Sequence, residues 1–145
     1  MYKKILVPLD GSPTAAKAIA PAVEMARLCG NIPILGAAVT DPYPYAGLAD
    51  AVPITADEYR ATTTRAADAA LQPLVDACKA AGLACECVVS EDAHPWKALL
   101  DAAQVKGCDL VVMASHGRRG MQAVLLGSET QKVLTHSKLP VLVVR

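Results

Sequence analysis

Short apolar runs alternate along the chain with longer segments in which apolar residues recur every three or four positions. The short runs are typical of strands in a buried sheet, and the longer segments are typical of helices that pack one face on it. Because helical segments separate the strands, parallel pairing is expected. The pattern predicts a single α/β domain over 1–145, a doubly wound, Rossmann-like parallel sheet with helices on both faces. The predicted strands are the five segments 5–9, 32–39, 85–89, 110–114 and 141–144.

Capping signals mark the ends of the predicted helices. The first helix is expected over 13–28, with Ser12 as its N-cap. The capping box 55–58, with the pattern T-x-x-E, opens a long helix that is expected to end at Gly82. The two remaining helices are predicted at 96–107 and at 128–136, the last opened by a second capping box at 128–131.

The overall charge is balanced, with 14 Lys and Arg against 14 Asp and Glu and a pI near 6.8. The strongly basic surface of a nucleic-acid-binding protein is therefore not expected. The apolar runs are far shorter than the roughly 20 residues that span a bilayer. The chain enters its first strand at Ile5 without an apolar leader segment. These features predict a cytoplasmic protein with no nucleic-acid or membrane partner.

Five cysteines are spread along the chain without a CxxC pair. No group of Cys and His has the spacing of a zinc site, so no metal ligands are predicted. Cys85 and Cys87 share one face of a predicted strand, where such neighbours are poor disulfide partners. Buried, reduced thiols are the preferred interpretation of the whole set, which comprises Cys29, Cys78, Cys85, Cys87 and Cys108.

Small and polar residues follow the first and fourth predicted strands. Asp10 comes directly after the first strand, and the segments 115–120 and 127–128 come after the fourth. In open α/β sheets, ligands bind beyond the carboxyl ends of the strands, where the strand order reverses. Glycines let backbone N–H groups approach an anion, and a helix N-terminus adds unpaired donors. The combination points to a phosphate group bound by the loop 114–130.

Each of these features also has a plain structural interpretation. Asp10 is typical of strand-to-helix turns, 117–120 of an ordinary turn, and Ser128 of a simple N-cap. For His116, loop packing is preferred to catalysis because no paired carboxylate or nucleophile is visible, and no catalytic residue is predicted. Neither the G-x-G-x-x-G fingerprint nor the Walker phosphate loop is present.

Longer segments carry a more specific signal. Residues 3–12 read KKILVPLDGS, 109–118 read DLVVMASHGR, 125–128 read LLGS, and the last six residues read PVLVVR. Over the whole chain these segments resemble the universal stress protein family. The resemblance implies the sheet order 3-2-1-4-5, with the first and fourth strands side by side. It also implies a homodimer formed by the C-terminal strand Val141 to Val144, an apolar segment that would otherwise leave an exposed sheet edge.

The nucleotide-binding branch of that family carries the motif G-x2-G-x9-G-[ST]. In this chain the register is Ala114-x2-Gly117-x9-Gly127-Ser128, with alanine in the place of the first glycine. The resemblance implies ATP or another adenine nucleotide as ligand, with Mg²⁺ held through the phosphates. The residues implied to bind the nucleotide are Pro8, Asp10, Val39, Met113, Ala114, Gly117, Arg118, Gly127, Ser128, Glu129 and Thr130.

The resemblance also implies a role for each group of these residues. Asp10 would accept a hydrogen bond from the adenine edge between apolar walls formed by Pro8 and Val39. Met113 and Ala114 would lie along the ribose. The phosphates would be held mainly through backbone N–H groups and hydroxyls by Gly117, Gly127, Ser128, Glu129 and Thr130.

Two residues depart from the expected pattern. Ala114 replaces a glycine, which matters only if that position needs a positive φ or a very close backbone contact. Glu129 would repel a triphosphate if its carboxylate turned inward, whereas a solvent-facing carboxylate would not. Arg118 or Arg119 would offset that charge.

Three functions are compatible with these residues. The leading hypothesis is an ATP-binding, homodimeric protein with a regulatory or protective role in the stress response, with at most slow ATP hydrolysis. The second is a nucleotide-using enzyme, either a slow ATPase or an adenylating enzyme, although 8–12 is not an SGGxDS-type pyrophosphate loop. The third is a family member that binds no nucleotide and acts through protein contacts, which Ala114 and Glu129 would favour.

Overall fold

The computed structural model describes residues 1–44, 54–116 and 126–145. Strands and helices alternate through these residues, as the hydrophobic pattern predicts. The elements, in chain order, are β1 (Ile5–Pro8), α1 (Pro13–Ala16), α2 (Ile19–Leu28), β2 (Ile34–Thr40), α3 (Ala56–Ala81), β3 (Cys85–Glu91), α4 (Pro95–Val105), β4 (Leu110–Ala114), α5 (Ser128–His136) and β5 (Val141–Val144).

The strands form one parallel sheet in the order β3-β2-β1-β4-β5, which confirms the predicted topology. At its centre, Ile5 of β1 lies opposite Ile34 of β2 and Leu110 of β4. At one edge, Ala114 of β4 lies opposite Val144 of β5. From β1 the sheet continues through β2 and β3 on one side and through β4 and β5 on the other. The strand order therefore reverses between β1 and β4, and the carboxyl ends of these two strands flank a crevice.

Helices cover both faces of the sheet. Successive strand residues point to opposite faces, so Ile5 and Val7 pack with α1, α2 and α3, whereas Leu6 packs with α4 and α5. The chain has no Phe, and aliphatic side chains fill both layers. Among the described residues, no helix combines the length and apolar character needed to cross a membrane.

The helix predicted over 13–28 is divided into α1 and α2, and that prediction of one continuous helix is wrong. Pro21 explains the break, because it has no N–H to donate to the carbonyl of Lys17 and its ring crowds that carbonyl. Between α1 and α2 the chain makes a tighter turn, in which the N–H of Lys17 donates to the carbonyl of Thr14, three residues earlier, at 3.1 Å. α2 then begins two residues before the proline, which sits in its first turn.

The predicted starts of the first and second helical segments are confirmed. The Ser12 hydroxyl accepts the N–H of Ala15 at 3.1 Å. Thr55 and Glu58 form a reciprocal capping box, in which the N–H of Glu58 donates to the Thr55 hydroxyl at 3.2 Å and the N–H of Thr55 donates to the Glu58 carboxylate at 2.8 Å. At its other end, α3 stops at Gly82, which is its C-cap.

None of the five cysteines forms a disulfide. Burial, reinforced by the neighbouring Cys78, raises the pKa of Cys85 to about 11. Burial likewise raises the pKa of Cys108 to about 11, so these thiols stay protonated and unreactive near neutral pH. The prediction that every thiol is buried is wrong for Cys87, which is exposed; it lies on β3, an edge strand of the sheet.

Candidate functional site

A cavity of about 430 Å³ lies at the crevice between the carboxyl ends of β1 and β4. Small-molecule sites commonly have volumes of roughly 300–1,000 Å³, so the cavity is large enough for a small organic ligand. Gly117 and Arg118 lie outside the described residues. All the other residues predicted for the site line this cavity, namely Pro8, Asp10, Val39, Met113, Ala114, Gly127, Ser128, Glu129 and Thr130.

One part of the cavity wall is apolar. Pro8 and Val39 contribute from the ends of β1 and β2, and Met113 contributes from the end of β4. Leu99 of α4, which is 7% exposed, contributes from the helix layer. Walls of this kind suit a flat ring whose faces need little hydrogen bonding.

Asp10 has a structural role in the turn that follows β1. Its Oδ1 accepts the N–H of Ser12 at 2.9 Å, the side-chain-to-backbone contact expected of a turn-forming aspartate. The same side chain lines the cavity. The turn interpretation therefore holds, and the contact with an adenine edge stays a prediction.

Gly127 lies where the returning chain comes closest to the end of β4. Its N–H donates to the carbonyl of Ser115 at 2.7 Å. A Cβ at this position would come within 3.3 Å of the Ser115 carbonyl oxygen and of the Cα of His116. Both neighbours are backbone atoms that do not yield easily, so the position favours glycine because of close approach. Its φ of −68° is open to any residue.

The capping box predicted at 128–131 is wrong. The N-cap of α5 is Gly127, Ser128 is already helical, and no side chain caps this helix end. The side-chain amide of Gln131 donates instead, through Nε2, to the carbonyl of Leu126 at 3.3 Å. The bond between Gly127 and the end of β4 places the N-cap one residue earlier than the capping-box pattern indicates, while the helix itself covers the predicted range 128–136.

Thr130 ties α5 to the sheet. It is 2% exposed, and its hydroxyl donates to the carbonyl of Ala114 at 3.1 Å. Ala114 itself lies within β4 and is not among the described residues with a positive φ. Its alanine is therefore compatible with the local backbone. The Thr130 hydroxyl already donates its proton to Ala114, and the phosphate contact predicted for Thr130 stays a prediction.

Glu129 turns toward the cavity and links two helices. Its Oε2 accepts the backbone N–H of Trp96, in the first turn of α4, at 3.0 Å. Its Oε1 pairs with the ammonium of Lys132, one turn further along α5, at 3.0 Å. The ring of Trp96 also stacks on His136 of α5, with ring centroids 4.2 Å apart. Glu129 therefore lines the cavity with a side chain that stays 38% exposed.

Lys132 and Asp41 also line the cavity, although neither was singled out from the sequence. Lys132 lies three residues after Glu129 on the same helical face, and this spacing is the signal that identifies it. Asp41 follows β2 directly, at the same edge of the sheet as Asp10. The charged side chains among the described lining residues are the carboxylates of Asp10, Asp41 and Glu129 and the ammonium group of Lys132.

His116 completes this end of β4. Its Nδ1 lies 3.1 Å from the Ser115 hydroxyl, which orients the ring. Its Nε2 is buried and has no hydrogen-bond partner within the part of the chain that the structure describes. The described ranges also contain no group of three or more His, Cys, Asp and Glu side chains arranged to hold a metal ion.

The model of the universal stress protein family matches residues 1–145. The chain belongs to this family. It is 30% identical to the universal stress protein YxiE of Bacillus subtilis, with full coverage of both chains. The solved structure of MJ0577, a protein of Methanocaldococcus jannaschii, superposes with a TM-score of 0.83 at 26% identity and covers 99% of this chain and 96% of that one.

Another solved relative was determined with a bound ligand. It is a universal stress protein in complex with cAMP, 27% identical to this chain, with a TM-score of 0.68. The likeness covers 99% of this chain and 97% of that chain. The family and the sheet order implied by the resemblance are thus confirmed, and some relatives of this fold bind adenine nucleotides.

Proposed function

We propose that this universal stress protein acts in the stress response by binding an adenine nucleotide in the cavity between β1 and β4. The main support is that the predicted site residues come together in space. Residues predicted from segments more than 100 positions apart, such as Pro8 and Ser128, line one cavity at the switch point of the sheet. The complex of a 27% identical relative with cAMP supports the same ligand class.

The cavity offers the two environments that a nucleotide needs. Apolar side chains around Val39 and Met113 provide surfaces for a base. The first turn of α5, with the Ser128 hydroxyl, provides hydrogen-bond donors and the positive end of a helix dipole for phosphate. A cavity that combines an apolar surface with an anion-binding helix end suits a nucleotide better than it suits a sugar or a free phosphate.

ATP remains the triphosphate predicted from the sequence, and its Mg²⁺ would be held by phosphates and water. The proposal concerns binding, with at most slow hydrolysis. Phosphoryl transfer needs a positioned base and a carboxylate that holds metal. Asp10 is the carboxylate best placed for such a role, and one of its oxygens is held by the N–H of Ser12 at 2.9 Å. A cytoplasmic location is part of the same proposal.

A homodimer through β5 is also part of the proposal. β5 is an edge strand of the sheet, and Leu142 on it is 37% exposed. An apolar edge of this kind is stabilised by pairing with a second copy. Sedimentation of the purified protein at micromolar concentration is expected to give a dimer and the variant Leu142→Lys a larger monomer fraction. A wild-type monomer at that concentration would contradict the dimer.

The binding proposal is tested by analysing what the natively purified protein carries. Mass spectrometry of the material released by denaturation is expected to show an adenine nucleotide. Calorimetry of the stripped protein is expected to show heat with AMP, cAMP or ATP and Mg²⁺, and much weaker heat with the matched guanine nucleotides. If no nucleotide is released and none of these titrations gives heat, the proposed nucleotide binding is wrong, and the alternative of a protein that acts only through protein contacts is favoured.

A further inference from the structure

We propose that Glu129 makes the cavity selective for nucleotides with a single phosphate and lowers its affinity for triphosphates. The inference rests on the proposed function, since it concerns the phosphate end of the same cavity. It concerns a side chain that the sequence motif leaves unspecified, at the position directly after the motif serine. The basis is a difference between the first turns of α4 and α5 in what their backbone N–H groups bind.

The first turn of α4 is already satisfied by the protein itself. Pro95 has no N–H to offer, and the N–H of Trp96 donates to Glu129 at 3.0 Å. The N–H of Lys97 donates to the carbonyl of His94 at 3.1 Å. The carboxylate of Glu129 therefore occupies the place at this helix end that an anionic ligand would otherwise take.

The first turn of α5 is occupied differently. The N–H of Gln131 bonds to the carbonyl of Gly127 at 3.0 Å, as the first intrahelical bond. The N–H groups of Ser128, Glu129 and Thr130 precede it and have no partner within the helix, because of helix geometry. Of the N-termini of α4 and α5, that of α5 thus offers the unpaired donors to a phosphate.

The charge of Glu129 disfavours more than one phosphate at the first turn of α5. Its carboxylate lines the cavity together with the ammonium of Lys132. Lys132 is itself paired with Glu129 at 3.0 Å. A single phosphate can share Lys132 and the α5 amides. Each added phosphate brings further negative charge close to the carboxylate of Glu129.

Lys132 also keeps the carboxylate in place. Its ion pair with Glu129 and the Trp96 N–H hold the two carboxylate oxygens separately, each at 3.0 Å. Rotation of Glu129 away from the cavity would give up both contacts. Relief of the repulsion by side-chain movement therefore has a cost, and this cost separates triphosphates from monophosphates.

The test compares AMP and ATP by calorimetry, in EDTA at low ionic strength, for the wild-type protein and for Glu129→Gln. Glutamine keeps an oxygen that accepts the Trp96 N–H but carries no charge. The variant is expected to raise the affinity for ATP relative to AMP by about tenfold. Glu24→Gln, which removes the same charge from an exposed position on α2, is the matched control and is expected to leave the ratio unchanged.

Salt gives a second readout on the wild-type protein. Screening weakens the repulsion between exposed charges, so the preference for AMP over ATP is expected to narrow as the ionic strength rises. A ratio of affinities that is the same in wild type and Glu129→Gln, while both bind AMP, would overturn the role of Glu129 and leave the proposed function intact. If neither protein binds any adenine nucleotide, the proposed function fails and the inference fails with it.

Discussion

The two ends of the sheet carry charged groups of both signs but use them differently. At the amino ends of the strands, Asp109 accepts the N–H groups of Lys3 and Lys4 at 2.9 and 3.0 Å. Glu86 there pairs with both Lys4 and Lys106. At the carboxyl ends, the charged groups of the described residues lie around a cavity, and Glu129 and Lys132 are paired there. The charged groups at the amino ends thus bind one another and the backbone, whereas those at the carboxyl ends line a space that a ligand can enter.

The pKa values of the two carboxylates at the amino ends reflect these partners. Two salt-bridge hydrogen bonds, from Lys106 and then Lys4, lower the pKa of Glu86. For Asp109, burial is the largest single influence and raises the pKa, but the backbone N–H groups of Lys4, Lys3 and Asp109 itself, together with the charge of Lys3, leave the pKa lowered. Both carboxylates are therefore stabilised in their charged form by structural partners.

The largest effect is expected for Gly127→Val at the cavity end. The new side chain would press on the backbone of Ser115 and His116, where even a Cβ comes within 3.3 Å. Displacement of the start of α5 should lower the affinity for AMP at least tenfold and the free energy of unfolding by about 2 kcal/mol. Calorimetry and denaturant unfolding measure the two quantities.

Gly107→Ala is the matched control at the opposite end of the sheet. Gly107 has a φ of +70° and open space around its missing Cβ, so alanine costs about 1 kcal/mol of backbone strain without a clash. It is expected to lower stability and leave AMP affinity unchanged. Equal losses of affinity in the two variants would mean that the two ends do not differ in the way described.

The next effect is a loss of stability without a loss of binding. Asp109→Ala removes the acceptor of the Lys3 and Lys4 N–H groups and is expected to lower the free energy of unfolding by about 1.5 kcal/mol, the lower part of the range for charged acceptors because the site is partly exposed. Chemical denaturation gives the stability and calorimetry the affinity for AMP. A reduced AMP affinity in the folded variant would contradict the division between the two ends.

Glu129→Ala should give the opposite combination at the cavity end. Loss of the contact with the Trp96 N–H is expected to cost about 1 kcal/mol of stability, as for other residues that cap helix N-termini. The affinity for ATP should nevertheless rise, because the repelling carboxylate is gone. Stability and affinity are measured on the same preparation, and a parallel fall of both would show that Glu129 acts only as a structural residue.

The smallest effect is a dependence on pH. Because the pKa of Asp109 is lowered from 3.8 in the folded protein, its contribution is complete above that value and is lost as the pH falls through the folded pKa. The difference in free energy of unfolding between wild type and Asp109→Ala is therefore expected to shrink below about pH 4. Urea unfolding between pH 3 and 7 measures it, and a difference that grows with acid would have the wrong sign.

The sequence predicts the fold better than it predicts the details of helix ends. Apolar runs such as 110–114 gave the strands because burial on both faces imposes a simple pattern. Pro21 divides the first helix because it has no N–H to donate. The sequence shows this proline, but whether a proline breaks a helix or lies in the first turn of one depends on where the helix begins, which the sequence does not fix. Ser128 looked like an N-cap, and a tertiary bond from Gly127 to Ser115 overrode that local signal.

The candidate site shows the same division. Part of its described lining was found from the sequence, because small and polar residues follow the first and fourth strands and the resemblance implies that these strands are neighbours, whereas Lys132 and Asp41 were not singled out. The orientation of Glu129 was open, because it depends on Trp96, which lies 33 positions away. Contacts between helices of this kind have no signature in a local motif. They decide how the site treats charge, while the motif decides where the site is.

The most direct test of the account is a titration of the ¹⁵N-labelled protein with AMP, followed by the backbone amide signals. The account predicts saturable shifts that are largest for Ser128, Glu129 and Thr130, with the amides of Lys3 and Lys4 at the other end of the sheet unchanged. Shifts centred on Lys3 and Lys4, or no shifts at millimolar AMP, would contradict the assignment of the β1–β4 cavity as a nucleotide site.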